Sequence, residues 1–156
     1  MATELSGWSG EARPRLAVRQ PRDEAEFQAA LALRYAVFCD EQGVPEADEI
    51  DGRDREALHV VAVRGGRVIG TCRMLVEDGI GKLGRMAVAR GARRSGIGAR
   101  LLAEAEAAAG AAGARRVILA AQVDAERFYS AGGYHTVGGH FIDAGIEHVR
   151  MEKALH

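Results

Sequence analysis

A short basic loop between an apolar strand and an alanine-rich helix holds the residues best suited to chemistry. Its framework is Arg93-x-x-Gly96-x-Gly98. The first N–H groups of a helix have no partner within the helix, and the helix dipole adds positive charge there. Glycines let this backbone approach a phosphate, because no Cβ intervenes. Further basic charge comes from Arg90, Arg94 and Arg100. The loop therefore predicts a site for a phosphate-bearing cofactor.

Two other phosphate-binding loops are excluded by residue type. A P-loop requires a Gly-Lys-Ser/Thr triplet, which the sequence lacks. A dinucleotide fingerprint requires Gly or Ala three positions after Gly98, where Leu101 stands. An ordinary strand-to-helix turn with packing glycines is the remaining alternative, and the surrounding arginines favour an anion site over it.

The length of 156 residues predicts one domain, spanning 14–156 after a flexible tail at 1–13. The 21 basic and 22 acidic residues nearly cancel, so no bulk attraction to nucleic acid or to an anionic membrane is implied. No signal peptide or membrane span is evident. Cys39 and Cys72 lack metal-ligand spacing and are typical of reduced thiols. We expect a cytoplasmic protein without a metal.

Periodicity predicts a mixed α/β fold. Expected strands cover 15–20, 57–64, 67–77, 82–89, 115–122, 135–141 and 147–153. Expected helices cover 24–42, 96–113 and 125–131, the last capped by Asp124. An acidic loop is expected at 43–55.

This order and the arginine loop resemble the GNAT superfamily of N-acetyltransferases from about Leu16 onward. Segments resembling its ElaA-like branch are 34–45, Asp51-Gly52-Arg53-Asp54, Ala121-Gln122-x-x-Ala125-x-x-Phe128-Tyr129 and Gly145-Ile146-x-His148. The resemblance implies a single-domain α+β fold whose mixed sheet has six or seven mostly antiparallel strands. That sheet would be flanked by helices and splayed between its fourth and fifth strands.

The resemblance also implies acetyl-coenzyme A as cosubstrate. Its pantetheine arm would lie in the splay and bond to the backbone of Met86, Ala87 and Val88. The remaining residues implied to contact the coenzyme are Arg93, Arg94, Ser95, Gly96, Ile97, Gly98, Ala99, Arg100, Phe128 and Tyr129.

Acetyl transfer needs an oxyanion donor and a proton donor for the departing thiolate. A phenol (pKa ~10) can donate to a thiolate whose conjugate acid has a pKa of ~8.5. By resemblance Tyr129 lies at the coenzyme sulfur, although it could instead only pack beside Ala125 and Phe128. A backbone N–H of the fourth strand, at Met86 or Ala87, is the simplest oxyanion donor.

The general base is less clear, because segment 82–89 has no acid where many relatives carry a glutamate. The candidates are Glu41, Asp51, Asp54, His59 and His148. Histidine suits neutral pH, which favours His59 or His148. Each candidate has a structural alternative, and a water chain could also serve.

The acceptor is expected to be a small-molecule primary amine or, second, a peptide amine. The acidic segment 46–54 could attract a cationic amine or form a solvated loop. Residues expected on the substrate side are Glu41, Arg73 and Gln122.

A homodimer through the late strands is compatible with the pattern. The lead function is direct acetyl transfer in a ternary complex; alternatives are a non-catalytic acyl-coenzyme A sensor and, disfavoured, another α/β nucleotide-binding protein.

Overall fold

The computed structural model describes residues 14–156; the tail predicted at 1–13 lies outside them. Seven strands form one sheet in the order β1-β2-β3-β4-β5-β7-β6. The strands are β1 (Leu16–Arg19), β2 (Leu58–Arg64), β3 (Arg67–Glu77), β4 (Ile80–Val88), β5 (Arg116–Gln122), β6 (His135–Asp143) and β7 (Ile146–Ala154). The α-helices are α1 (Glu24–Arg34), α2 (Glu46–Glu49), α3 (Ile97–Ala111) and α4 (Glu126–Ala131).

Helices cover both faces of the sheet, as the alternation along β2 requires. Val60 and Ala62 belong to the main core, into which α3 buries Leu101. Val61 and Val63 face the opposite side and pack with Ala30 of α1. Successive strand residues point to opposite faces, so an apolar strand of this kind must be covered twice.

The sheet opens between β4 and β5. These strands are parallel and pair only from Ile80–Leu83 with residues 116–119, whereas every other neighbouring pair is antiparallel. Beyond Leu83 the two strands diverge, which leaves a gap at their carboxyl ends. The predicted mixed sheet, splayed between its fourth and fifth strands, is confirmed.

Three local predictions are wrong. The helix expected over 24–42 is α-helical only to Arg34 and continues as a π-helix over Tyr35–Glu41, a widening that apolar spacing does not reveal. The acidic loop contains α2 and a 3₁₀ turn at Asp54–Glu56. Asp124 caps no helix, because a 3₁₀ turn precedes α4 and places Ala125 at its N-cap.

Among residues 14–156, no helix is long and apolar enough to cross a membrane.

Candidate active site

A cavity of about 640 Å³ occupies the gap between β4 and β5. Its walls come from the π-helical segment, α2, the ends of β4 and β5, α4 and the β6–β7 turn. Of the residues predicted for the site, the wall contains Arg73, Met86, Ala87, Val88, Arg93, Gln122, Phe128, Tyr129 and His148. The splay thus brings together residues that are far apart in sequence.

A bulge shapes the β4 side of this cavity. One residue of β3, Cys72, stands opposite two residues of β4, Arg85 and Met86. Arg85 takes a left-handed φ of +55°. A bulge disrupts the hydrogen-bond ladder locally, and β5 accompanies β4 only as far as Leu83. Residues 85–88 therefore present backbone polar groups along an edge that no described strand covers.

The arginine loop forms the N-terminus of α3. Gly96 is its N-cap with φ +83°, and no side chain caps the helix there. The side chain of Ile97 is buried in the core, which leaves its backbone for any ligand. A Cβ at Gly98 would lie 3.1 Å from the Phe128 ring, so any other residue there would require that ring to shift by a few tenths of an ångström. These features fit an anion such as a pyrophosphate.

The rest of the loop is largely exposed. Ser95 Oγ donates to Ala92 O at 2.6 Å, which closes the turn before the helix. Arg94, with φ +60°, and the first-turn residues Ala99 and Arg100 lie at the surface. The two arginines form no ion pair with a described residue, so their charge remains available.

Arg93 connects three parts of the site. Its Nε donates to Val88 O at the end of β4 at 2.8 Å, and its Nη2 donates to Glu41 Oε1 at 3.0 Å. Arg90 lies 3.5 Å from the other oxygen of Glu41. Among residues 14–156, Glu41 is not in the cavity wall. The structure places Glu41, predicted as a base or substrate residue, beside the arginine loop.

Tyr129 lies in the cavity wall with 8% of its surface exposed. Its ring makes edge contacts with Phe128 and Tyr134 at centroid distances of 4.9 and 5.9 Å. Burial raises the pKa of its hydroxyl above the usual range, so the group keeps its proton at neutral pH. The hydroxyl makes no hydrogen bond to a described residue, and it can donate one to a ligand.

His148 lies across the cavity on β7 and is also buried. Its Nδ1 is 2.7 Å from Ile146 O. A carbonyl oxygen only accepts, so Nδ1 carries the proton and the neutral ring has its lone pair at Nε2. The ring stacks on Phe141 at 5.7 Å, and Nε2 has no hydrogen-bond partner among residues 14–156. Nε2 can therefore accept a hydrogen bond from a ligand.

Gln122 and Gln42 bridge the mouth of the cavity. Gln122 Nε2 donates to Gln42 Oε1 at 2.8 Å, which ties the end of β5 to the end of the π-helical segment. Both side chains line the cavity.

Three arginines and three carboxylates form a closed ring of ion pairs beside the cavity. In order, its members are Arg34, Glu49, Arg85, Asp51, Arg73 and Asp54, and Asp54 returns to Arg34. Contact distances run from 2.6 Å for Arg34–Asp54 to 3.5 Å for Arg85–Asp51. The six formal charges cancel, so the four ring members that line the cavity, Glu49, Asp51, Arg73 and Arg85, belong to a neutral group.

The ring weakens two of the predicted bases. Hydrogen bonds from Arg73 hold the pKa of Asp51 well below its usual range. Burial alone would raise the pKa of Asp54, but hydrogen bonds from Arg34 and Arg73 outweigh it and lower the pKa. Arg73 was expected on the substrate side, but its guanidinium is hydrogen-bonded to these two carboxylates. Carboxylates that bind a proton so weakly are poor general bases at neutral pH.

His59 is held away from the cavity. Its Nε2 donates to Asp54 O at 2.8 Å and its ring meets Phe27 edge-on at 5.1 Å. Burial lowers its pKa. Among the described residues it is not in the cavity wall.

Sequence reasoning missed the ring, although one signal pointed to it. Arg34 falls among the apolar positions of the first helix, where a charge needs a buried partner. Its side chain is 1% exposed, and Glu49 opposite is 4% exposed. The partner could not be identified, because the acidic segment offers several carboxylates.

In the acidic segment 46–54, the ring pairs three of the five carboxylates, whereas Glu46 and Asp48 make no ion pair with a described residue. Unpaired carboxylates in the cavity wall are Asp48, Asp124 and Asp143, none of which makes an ion pair within residues 14–156. Residues 14–156 contain no group of three or more His, Cys, Asp or Glu residues arranged to hold a metal ion.

Comparison with known proteins agrees with this architecture. Residues 22–155 match the acetyltransferase (GNAT) domain. The chain is 38% identical over 133 residues to YjcF, an uncharacterized N-acetyltransferase of Bacillus subtilis (strain 168), covering 85% of this chain and 95% of YjcF. The chain therefore belongs to the GNAT family of acetyltransferases, which use acetyl-coenzyme A, and the resemblance seen in the sequence is confirmed.

Solved structures show the same fold. An acyl-CoA N-acyltransferase from Pseudomonas aeruginosa is 28% identical with a TM-score of 0.78, and ElaA from Escherichia coli is 24% identical with a TM-score of 0.77. Each comparison covers 90% of this chain and 99% of the other.

Proposed function

We propose that the protein transfers an acetyl group from acetyl-coenzyme A to a primary amine by direct attack in a ternary complex. One observation carries this proposal: the uncovered edge of β4, residues 85–88, lines the same cavity as Arg93, which lies in the loop before the N-terminus of α3. Such an edge suits an extended amide-bearing chain, and the helix terminus suits its phosphates.

The residues present fit the coenzyme. The backbone of Ile97, Gly98 and Ala99 would hold its pyrophosphate with help from Arg93, Arg94, Ser95, Gly96 and Arg100. The backbone of Met86, Ala87 and Val88 would hold its pantetheine arm, with Phe128 beside it. When bound, the coenzyme supplies an activated thioester. A backbone N–H at Met86 or Ala87 would stabilise the oxyanion that develops on its carbonyl.

Proton movement would use two uncharged cavity side chains, His148 and Tyr129. His148 Nε2 would accept a proton from the attacking amine, directly or through water, since Nδ1 is fixed as a donor by Ile146 O. Tyr129 would donate a hydrogen bond to the departing sulfur. Its raised pKa favours sharing its proton over releasing it fully. Glu41 is better placed to influence coenzyme binding than to act as the base.

The acceptor would be a small amine that carries positive charge, or second a peptide amine. The three unpaired carboxylates of the wall outnumber its one unpaired cation, Lys82, within the described residues. Their field would concentrate cations in the cavity. The two free cysteines, Cys39 and Cys72, fit a reducing compartment such as the cytoplasm.

A thiol-release assay with acetyl-coenzyme A and a panel of amines tests the function. We expect release that depends on the amine and is faster for diamines than for monoamines of equal length. Tight coenzyme binding with no release from any amine would favour the second candidate, an acyl-coenzyme A sensor, which the absence of an acid on β4 keeps open.

A further inference from the structure

Arg85 has an unusual backbone conformation for its position. It lies inside β4, yet its φ is +55°, a region that residues with a Cβ adopt only under strain. Such a conformation persists only where surrounding contacts impose it.

The contacts that impose this backbone conformation come from Asp48 and Glu49 of α2 and from Asp51. The guanidinium donates to Glu49 O through Nε at 3.3 Å and through Nη2 at 3.0 Å, and Nη2 also reaches Asp48 O at 3.4 Å. Its Nε lies 2.8 Å from Glu49 Oε2, and Nη2 lies 3.5 Å from Asp51 Oδ2. Arg34 and Arg73 hold these same carboxylates from the other side of the ring.

The conformation of Arg85 determines the bulge. Because Arg85 and Met86 together oppose Cys72, their amides cannot both continue the ladder with β3. Residues Gly84 to Val88 are part of the cavity wall. The side chain of Arg85 reaches Asp48 and Glu49 of α2, and its backbone belongs to the uncovered strand edge on which the thioester would lie.

We infer that Arg85 is a positioning residue, which holds the β4 bulge and thereby aims the Met86 backbone at the reacting carbonyl. This inference rests on the proposed function. The ring of ion pairs would then serve to hold the Arg85 side chain, which in turn sets the backbone of the β4 bulge. No contact between Arg85 and the substrate is required.

Alanine and glycine at position 85 separate the backbone from the side chain. Both remove the guanidinium, but glycine adopts a positive φ without strain whereas alanine does not. We expect Arg85→Ala to lower kcat by about 10- to 100-fold, as for a misplaced oxyanion donor, and to change the KM for acetyl-coenzyme A by less than about threefold. Arg85→Gly should recover at least about half of the loss on a logarithmic scale.

The matched controls are Asp78→Ala and Asp78→Gly, because Asp78 has a similar φ of +52° in the β3–β4 turn, away from the cavity wall. Both should keep the wild-type kcat. Circular dichroism and coenzyme A titration establish that each variant is folded. Equal kcat for Arg85→Ala and wild type, or equal losses for alanine and glycine, would overturn the inference alone. Absence of thiol release from the wild-type protein would instead overturn the proposed function on which it rests.

Discussion

Glu41 accepts a hydrogen bond from Arg93 at 3.0 Å, which ties the end of the π-helical segment to the arginine loop. Arg93 in turn holds Val88 O, so β4, the loop and the helix before α2 are joined through one guanidinium. Arg93 also lines the cavity, where a coenzyme phosphate would compete with Glu41 for the charge of its guanidinium.

Glu41→Gln should therefore strengthen coenzyme A binding by about two- to fivefold, the range expected for loss of a partly exposed ion pair. It should leave kcat within about twofold of the wild-type value, because Glu41 lies outside the cavity wall. Calorimetric titration measures the affinity, with Glu104→Gln on the exposed face of α3 as control. Weaker binding would show instead that Glu41 orients Arg93.

Tyr129→Phe should lower turnover by about 10²-fold while coenzyme binding is kept. Phenylalanine preserves the edge contacts to Phe128 and Tyr134, so the change removes only the hydroxyl. Tyr134→Phe is not a suitable control because its hydroxyl bonds to Glu106. Single-turnover thiol release reports the step directly, and a wild-type rate would leave Tyr129 with a packing role only.

His148→Gln should reduce the rate at neutral pH by about 10²- to 10⁴-fold, because the variant lacks the imidazole nitrogen that would accept the proton. The exposed His140→Gln on β6 provides the control, since its ring pairs with Glu147 outside the cavity wall. An unchanged rate in His148→Gln would assign proton removal to water.

Asp51→Asn should destabilise the protein by about 1–2 kcal/mol at pH 7, and the difference from wild type should shrink below about pH 4. The pKa of Asp51 is lower in the folded than in the unfolded chain, mainly through Arg73. The contribution of Asp51 to the free energy of unfolding is therefore complete above its pKa in the unfolded chain. That contribution is lost as the pH falls toward its pKa in the folded chain. Urea unfolding at several pH values measures this.

Asp78→Asn is the control for the acid series, because the side chain makes no ion pair within residues 14–156. A destabilisation of Asp51→Asn that stayed constant down to pH 3 would argue against the ion pair as its cause.

The fold was largely predictable because its signals are local. Alternating apolar residues, glycine turns and the loop at 93–98 each specify an element over a few residues, and their order resembles one family. The family resemblance then implied which residues of those elements belong to the site, including Phe128 and Tyr129.

The rest depends on contacts between distant segments. Whether Glu49 or another acid meets Arg34 depends on how α2 folds back, 15 residues later in the chain. Nothing in the local sequence of β4 requires a positive φ at Arg85. We attribute the bulge there to the contacts between Arg85 and α2. The π-helix at 35–41 keeps an apolar pattern that a regular helix would also show.

Titration of acetyl-coenzyme A into the wild type, Gly96→Asp and Gly96→Asn tests the central claim most directly. Aspartate and asparagine both tolerate the left-handed φ of +83° at this open position, and a carboxylate at a helix N-terminus does not harm the fold. We predict binding to the wild type and to Gly96→Asn, and binding at least about 10-fold weaker to Gly96→Asp because the added charge repels the phosphates. No binding to the wild type, or equal affinity for all three proteins, would contradict the assignment of this loop as the coenzyme site.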